Sequence, residues 1–148
     1  MANFKGNELY IHGSSLKTGI LLTNLGTPDE PTAPSLKTYL RQFLSDGRVI
    51  ETPKAIWWLI LNGIVLITRP AKSAKAYQSV WTDDGSPLLL YTKKQKDLIK
   101  EKLEKKYSNL VFDVGMRYGN PSIANGLNNL RNQNCDRIIV LPLYPQYC

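Results

Sequence analysis

Hydrophobic positions along this 148-residue chain fall into blocks that alternate between a continuous, strand-like run and a helical spacing. After a polar lead-in over residues 1–18, Ile20 to Leu25 predicts a short buried strand, closed by Gly26-Thr27-Pro28. Leu36, Tyr39, Leu40, Phe43 and Leu44 recur on one face of a 3.6-residue period and predict an amphipathic helix, with Ser35 as its N-cap and Gly47 just past its end. Ile56 to Ile67 is apolar all round, carries the adjacent Trp57 and Trp58, and is flanked by Lys54 and Arg69. It is too short to span a bilayer, which takes about 20 residues. Two readings stay open for it: a buried helix, or an exposed hydrophobic lip that lines a pocket or dips into a membrane interface, where Trp is favoured and flanking cations meet anionic lipid.

A helix bearing Lys72, Lys75 and Tyr77 is predicted after Pro70. Asp84-Gly85-Ser86-Pro87 forms a turn in which Ser86 caps a helix that opens at Pro87, with Leu88, Tyr91, Leu98, Ile99 and Leu103 on its inner face. Val111 to Met116 is a second strand, with Arg117 and Tyr118 at its carboxyl end. Asn120-Pro121 opens a helix through Ile123, Leu127 and Leu130, and Arg137 to Leu143 is a third, core strand. Strands separated by helices predict an α/β fold: a parallel sheet flanked by helices, with right-handed crossovers. In such sheets the ligand crevice lies beyond the carboxyl ends of the strands, here Asn24 to Thr27, Arg117-Tyr118 and Tyr144 to Tyr147. Polar, aromatic and cationic groups mixed at one edge suit a flat, apolar ligand that carries carboxylates. The sequence stops directly after the third strand without a closing helix, which predicts a second half beyond it.

Composition narrows the chemistry. A hydrophobic share of 43% with 21% charged residues is ordinary for a globular protein, while a net charge of +7 favours an anionic partner. Much of the excess, Lys93, Lys94, Lys96, Lys100, Lys102, Lys105 and Lys106, falls on one predicted helix and reads as a solvated face. No nucleic-acid module and no interleaved basic and aromatic stripe is found, so no nucleic-acid partner is expected. Neither the G-x-G-x-x-G nor the G-x-x-x-x-G-K-[ST] phosphate loop occurs. Cys135 and Cys148 are too few and too distant for a disulfide framework or a zinc site, and Met1 to Tyr10 lacks a signal-peptide core, which together point to the cytoplasm. The sole histidine, His12, lies in the polar lead-in with no metal-ligating cluster around it, and no Ser/His/Asp or Cys/His set can be assembled.

Gly19-Ile-Leu-Leu-Thr-Asn-Leu-Gly-Thr-Pro28, Phe43-Leu-Ser-Asp46, Arg48-Val-Ile-Glu51, Trp57-Trp58, Gly85-Ser-Pro-Leu88, Gly115-Met-Arg-Tyr118 and Leu141-Pro-Leu-Tyr-Pro-Gln-Tyr147 occur in the order of a known family. Through them the chain resembles the N-terminal half of the ferrochelatases, the bacterial branch in particular. The resemblance implies a lyase that inserts ferrous iron into a porphyrin (protoporphyrin IX) to make haem, and a fold of two similar Rossmann-like halves around a porphyrin cleft, of which residues 19–148 are the first. Ferrous iron is a substrate there, and no cofactor is assigned to this chain. The His and Glu that bind metal and handle pyrrole protons come from the second half, so the resemblance assigns no catalytic and no metal-binding residue here; His12 does not match that histidine. Carried over by position, Leu25 packs on the macrocycle beside the metal, Arg117 and Tyr118 lie near the macrocycle with Arg117 orienting a propionate, Tyr77 and Ser86 lie near the rim, and Arg48 is a second propionate partner. Trp57, Trp58 and Leu59 match the hydrophobic lip at the mouth, where porphyrin enters from a membrane surface. The chain departs from the family at Gly47, where Arg is common, and at Cys148, where Ser is usual. The alternative is a non-catalytic porphyrin-binding or membrane-peripheral interaction module.

Overall fold

The computed structural model describes residues 16–145; His12, most of the polar lead-in and Gln146 to Cys148 lie outside them. In chain order the elements are β1 (Thr18–Thr27), α1 (Ala33–Leu44), α2 (Lys54–Ile60), a π-helical turn (Leu61–Val65), α3 (Leu66–Gln78), α4 (Pro87–Glu104), β2 (Leu110–Gly119), α5 (Ile123–Asn132) and β3 (Arg137–Pro142). The strands form one parallel three-stranded sheet in the order β2-β1-β3, flanked by helices. Leu22 pairs with Val114 on one side and Leu141 on the other, so all three carboxyl ends point the same way; β1 and β2 end together at Thr27 and Gly119, and β3 ends level with Thr23.

The near-continuous apolar run of β1 follows from cover on both of its faces. Ile20, Leu22 and Val114 pack against Ile99 and Leu103 of α4. On the opposite face α5 rides close to the sheet through Gly126, where a Cβ would stand 2.6 Å from Leu21 Cδ1 and 2.9 Å from the Val114 carbonyl oxygen. Past the carboxyl edge, Leu36 and Tyr39 of α1, Ala74 of α3 and Tyr118 of β2 form a second cluster.

Several expectations change in detail. β1 runs two residues beyond Leu25 because Gly26 takes φ 119°, letting the Tyr118 carbonyl oxygen come to 1.8 Å from where a Cβ would sit. The N-cap position of α1 is Thr32, not Ser35, whose Oγ instead accepts the Glu30 N–H at 3.1 Å. Pro70 does not begin a helix: it lies inside α3. A proline ring there crowds the carbonyl four residues back, and the π turn just upstream widens the hydrogen-bond register. The inner face of α4 is Thr92, Ile99 and Leu103, while Leu88, Tyr91 and Leu98 are exposed. The start of α5 is capped by Ser122, which accepts the Asn125 N–H at 3.1 Å, and the preceding Asn120–Pro121 peptide is cis.

Two corrections concern exposure. The Ile56 to Ile67 segment is not a buried helix: Leu61 is buried, but Ile56, Trp58, Leu59, Ile64 and Ile67 face solvent as an apolar ridge. β3 is not a core strand either, since Ile138, Ile139, Val140 and Leu141 are exposed and the strand forms the sheet edge among the described residues. The lysines of α4 form the solvated face that their spacing predicts, with Lys105–Glu101 and Lys100–Glu104 pairs at 3.0 and 3.8 Å.

Candidate functional site

The carboxyl edge is assembled by contacts far apart in sequence. Asn24 is buried, donates through Nδ2 to Thr92 Oγ1 at 3.0 Å, and accepts the Leu25 N–H on Oδ1 at 2.8 Å. Thr92 Oγ1 in turn donates to the Leu88 carbonyl at 2.7 Å. This fixes the backbone of Leu25, whose side chain is exposed. Between the pairs Asn24↔Met116 and Gly26↔Tyr118, Leu25 takes the register position beside Arg117, which puts both on one face of the sheet. Next along β1, the Gly26 carbonyl accepts the Tyr39 hydroxyl at 3.2 Å, and Thr27 Oγ1 meets Ser86 Oγ at 2.7 Å. Ser86 holds the N-cap position of α4, yet its hydroxyl ties α4 to β1 rather than capping the helix.

Asp46, in the loop after α1, is the hub of the opposite wall. Its Oδ2 accepts from Arg117 Nη2 at 2.5 Å and from the Tyr118 hydroxyl at 3.0 Å, while Oδ1 accepts the Arg48 N–H at 2.9 Å. Those bonds hold the Asp46 carboxyl below the usual carboxylate range, the Arg48 N–H first, then the Tyr118 hydroxyl and the Arg117 guanidinium. Asp46 raises Arg117, and burial followed by the Asp46 bond raises Tyr118. The Tyr118 ring lies edge-on to Phe43 at 5.0 Å, Phe43 stacks on Tyr39 at 6.1 Å, and the Arg117 guanidinium sits 5.3 Å from the Tyr118 ring centre. Burial, then the neighbouring Tyr77 and Tyr118, push the Tyr39 phenol well above its ordinary value. Just past β1, at the start of α4, lies a recess of about 300 Å³ bordered by Pro28, Asp29, Trp81, Ser86, Lys93 and Asn120.

The ferrochelatase family model matches residues 17–148. The chain belongs to the ferrochelatase family. It is 55% identical to a ferrochelatase of Chromobacterium violaceum over 148 residues, covering 99% of this chain and 41% of that protein. It is 55% identical to one of Nitrosomonas europaea over 139 residues (93% of this chain, 38% of that protein) and 52% identical to one of Alcanivorax borkumensis over 145 residues (97% and 42%). The chain thus spans about two fifths of the length of the curated relatives it matches.

Within this ferrochelatase stretch, Leu25, Arg117 and Tyr118 share the sheet edge, and Arg48 joins them through its backbone bond to Asp46, its side chain being exposed. Ser86 reaches the same edge through Thr27, and Tyr77 packs against the Leu36–Tyr39–Tyr118 cluster with its ring 6.3 Å from that of Trp81. The lip residues are not equivalent: Trp57 is partly buried and its Nε1 donates to the Leu44 carbonyl at 2.7 Å, whereas Trp58 and Leu59 are 62% and 64% exposed. Asp46 and Thr92 are the site-building residues that local spacing does not reveal; for Asn24, at a strand end, and Tyr39, on a helix face, it does not reveal the partners. For Asp46 the signal was present only as part of the Phe43–Asp46 motif, because its side-chain partners lie 71 and 72 positions away. Among the described residues no group of three or more His, Cys, Asp or Glu side chains is placed to hold a metal ion, and no helix is long and apolar enough to cross a membrane.

Proposed function

We propose that this chain forms one wall of the porphyrin cleft of a ferrochelatase, a lyase that inserts ferrous iron into protoporphyrin IX. The observation that carries this reading is the placement of Leu25 and Arg117 on one face at the carboxyl edge of the sheet, with Tyr118 buried next along β2, Asn24 bonding the Leu25 N–H and Asp46 holding both Arg117 and Tyr118. Leu25, which cannot ligate iron, packs on the macrocycle. Arg117 takes a propionate, with Arg48 as a second cation, and Tyr77 and Ser86 lie toward the rim. A planar porphyrin keeps its pyrrole lone pairs in the ring plane, out of reach of an entering cation. Walls that bend the ring expose them, with strain of roughly 1–5 kcal/mol drawn from remote contacts such as the propionate pairs. A base must then take the pyrrole protons. That base, a His with a Glu, belongs to a second half outside this sequence, so this chain contributes binding and bending, and ferrous iron reaches the ring from that other side.

The exposed ridge of Trp58, Leu59, Ile64 and Ile67, next to Arg69 and Lys72, supports the further reading that the mouth rests on a membrane surface from the cytoplasmic side. Titration of the chain with protoporphyrin IX tests the main reading. A saturable Soret shift with Trp quenching is expected, and an Arg117→Gln chain should bind roughly tenfold more weakly, as for a lost charged hydrogen bond. Given ferrous iron as well, the chain alone should form no metalloporphyrin. An unchanged Soret band with well-folded protein sinks the binding reading, and robust turnover sinks the assignment of the base to another segment.

A further inference from the structure

Arg117 is anchored before any ligand arrives. Of its five N–H donors one is taken by Asp46 Oδ2, at 2.5 Å, and its Cζ lies 5.3 Å from the Tyr118 ring centre. The side chain stays 38% exposed, so donors remain for a second carboxylate, while Asp46 is only 15% exposed. The same carboxylate holds the Arg48 N–H and the Tyr118 hydroxyl. One acidic residue therefore sets the loop that carries Arg48 and the strand end that carries Arg117 relative to each other.

We propose that Asp46 is a positioning residue for ligand carboxylates: it never meets the ligand, but aims the Arg117 fork and fixes the Arg48 loop so that both cations meet an acid in a prepared geometry. The assignment rests on the porphyrin reading above. A carboxylate next to the binding cation also lowers the net positive charge of the site, so removing it has two opposed effects. The charge effect is screened by water, because Arg117 is more than one third exposed. The ordering effect is not screened: a freed guanidinium must be immobilised anew each time an acid binds. Ordering therefore dominates, and loss of the Asp46 charge weakens binding of acids.

Asp46→Asn is the selective probe. With its Oδ1 still accepting the Arg48 N–H, the new Nδ2 faces the Arg117 Nη2 donor and can only donate, to the Tyr118 oxygen; the loop and Tyr118 keep partners and Arg117 alone loses its carboxylate. The full chain is titrated, in one detergent, with protoporphyrin IX and with its dimethyl ester, which lacks the acids. Asp46→Asn should raise the Kd for the diacid roughly tenfold, as expected for one charged hydrogen bond, and leave the diester unchanged. Asp46→Asn with Arg117→Gln should bind the diacid no more weakly than Arg117→Gln alone, because Asp46 acts through Arg117. Should Asp46→Asn unfold the chain by circular dichroism, Asp46→Glu, which keeps the charge but moves the carboxylate by one methylene and so re-aims the Arg117 fork, replaces it and should show the same diacid-only loss. Equal or tighter diacid binding by Asp46→Asn, or equal losses for diacid and diester, overturns the positioning role. Failure of the wild-type chain to bind either porphyrin overturns the porphyrin reading itself, and with it the ligand for which Asp46 is placed.

Discussion

Thr92 stands four residues after Leu88 on α4, where the apolar stripe calls for a hydrophobic side chain, and its hydroxyl is used twice, as donor to Leu88 and acceptor from Asn24. Replacing it by the isosteric Val keeps the packing and strands the buried Asn24 amide without an acceptor. Thr92→Val should therefore cost about 1–3 kcal/mol, read as a lower urea midpoint with an unchanged slope. Adding Asn24→Leu should cost less than the two changes summed, since the amide that was stranded is gone. An unaltered midpoint for Thr92→Val would mean that Asn24 contributes nothing through this bond. Thr92, Ser86 and Asp46 share one reason why their bonding partners are illegible in sequence. Each bonds a side chain roughly 60 to 70 positions away, and local periodicity carries no information on such pairs. Leu25, Arg117 and Tyr118 were legible because they stand at strand ends, and a parallel sheet brings all its carboxyl ends to one edge without further instruction.

At the level of elements, the strands and amphipathic helices follow from hydrophobic spacing, because each buries a stripe with one period. The segment from Lys54 to Gln78 does not, since two rules conflict there. An all-apolar run reads as core and Pro70 reads as a break, yet the chain forms one helical rod with a π turn and presents five large apolar residues to solvent. Periodicity reports which residues are apolar, not what covers them. Trp57 explains how the rod is held: its indole N–H docks on the Leu44 carbonyl and fixes the ridge against the end of α1. Trp58 and Leu59 are left exposed, and on the proposed membrane reading they enter the lipid interface. Trp58→Ser with Leu59→Ser should reduce sedimentation with anionic vesicles roughly tenfold or more while leaving the fold intact, because two large apolar side chains leave the interface. Trp57→Ser should instead lower thermal stability. Vesicle binding that is indifferent to the Trp58 and Leu59 changes would remove the membrane role from the ridge.

Across the whole molecule, cover is uneven. β1 has helices on both faces, whereas β3 carries Ile138 and Val140 on one face and Ile139 and Leu141 on the other, all exposed, beside a strand edge unpaired among the described residues. An apolar, flat edge of this kind offers both backbone hydrogen bonds and hydrophobic area to any second chain. The matched relatives carry more than half of their length outside the stretch shared with this chain. Left open, the edge should pair with itself. Sedimentation velocity of the chain should show a weight-average mass that rises with protein concentration, and the rise should persist at high salt, because apolar contacts and strand pairing are not screened. Ile139→Lys with Val140→Lys places one charge on each face of the edge, so no face remains for stacking and strand addition meets like-charge repulsion. Both side chains are already at least half exposed, 50% and 53%, so the substitutions remove little packing within the chain. The variant should stay monomeric with unchanged circular dichroism. Concentration-dependent mass that survives both lysines would move self-association away from β3, and the Trp58–Leu59 ridge, tested in the same way, is the next apolar surface to carry it.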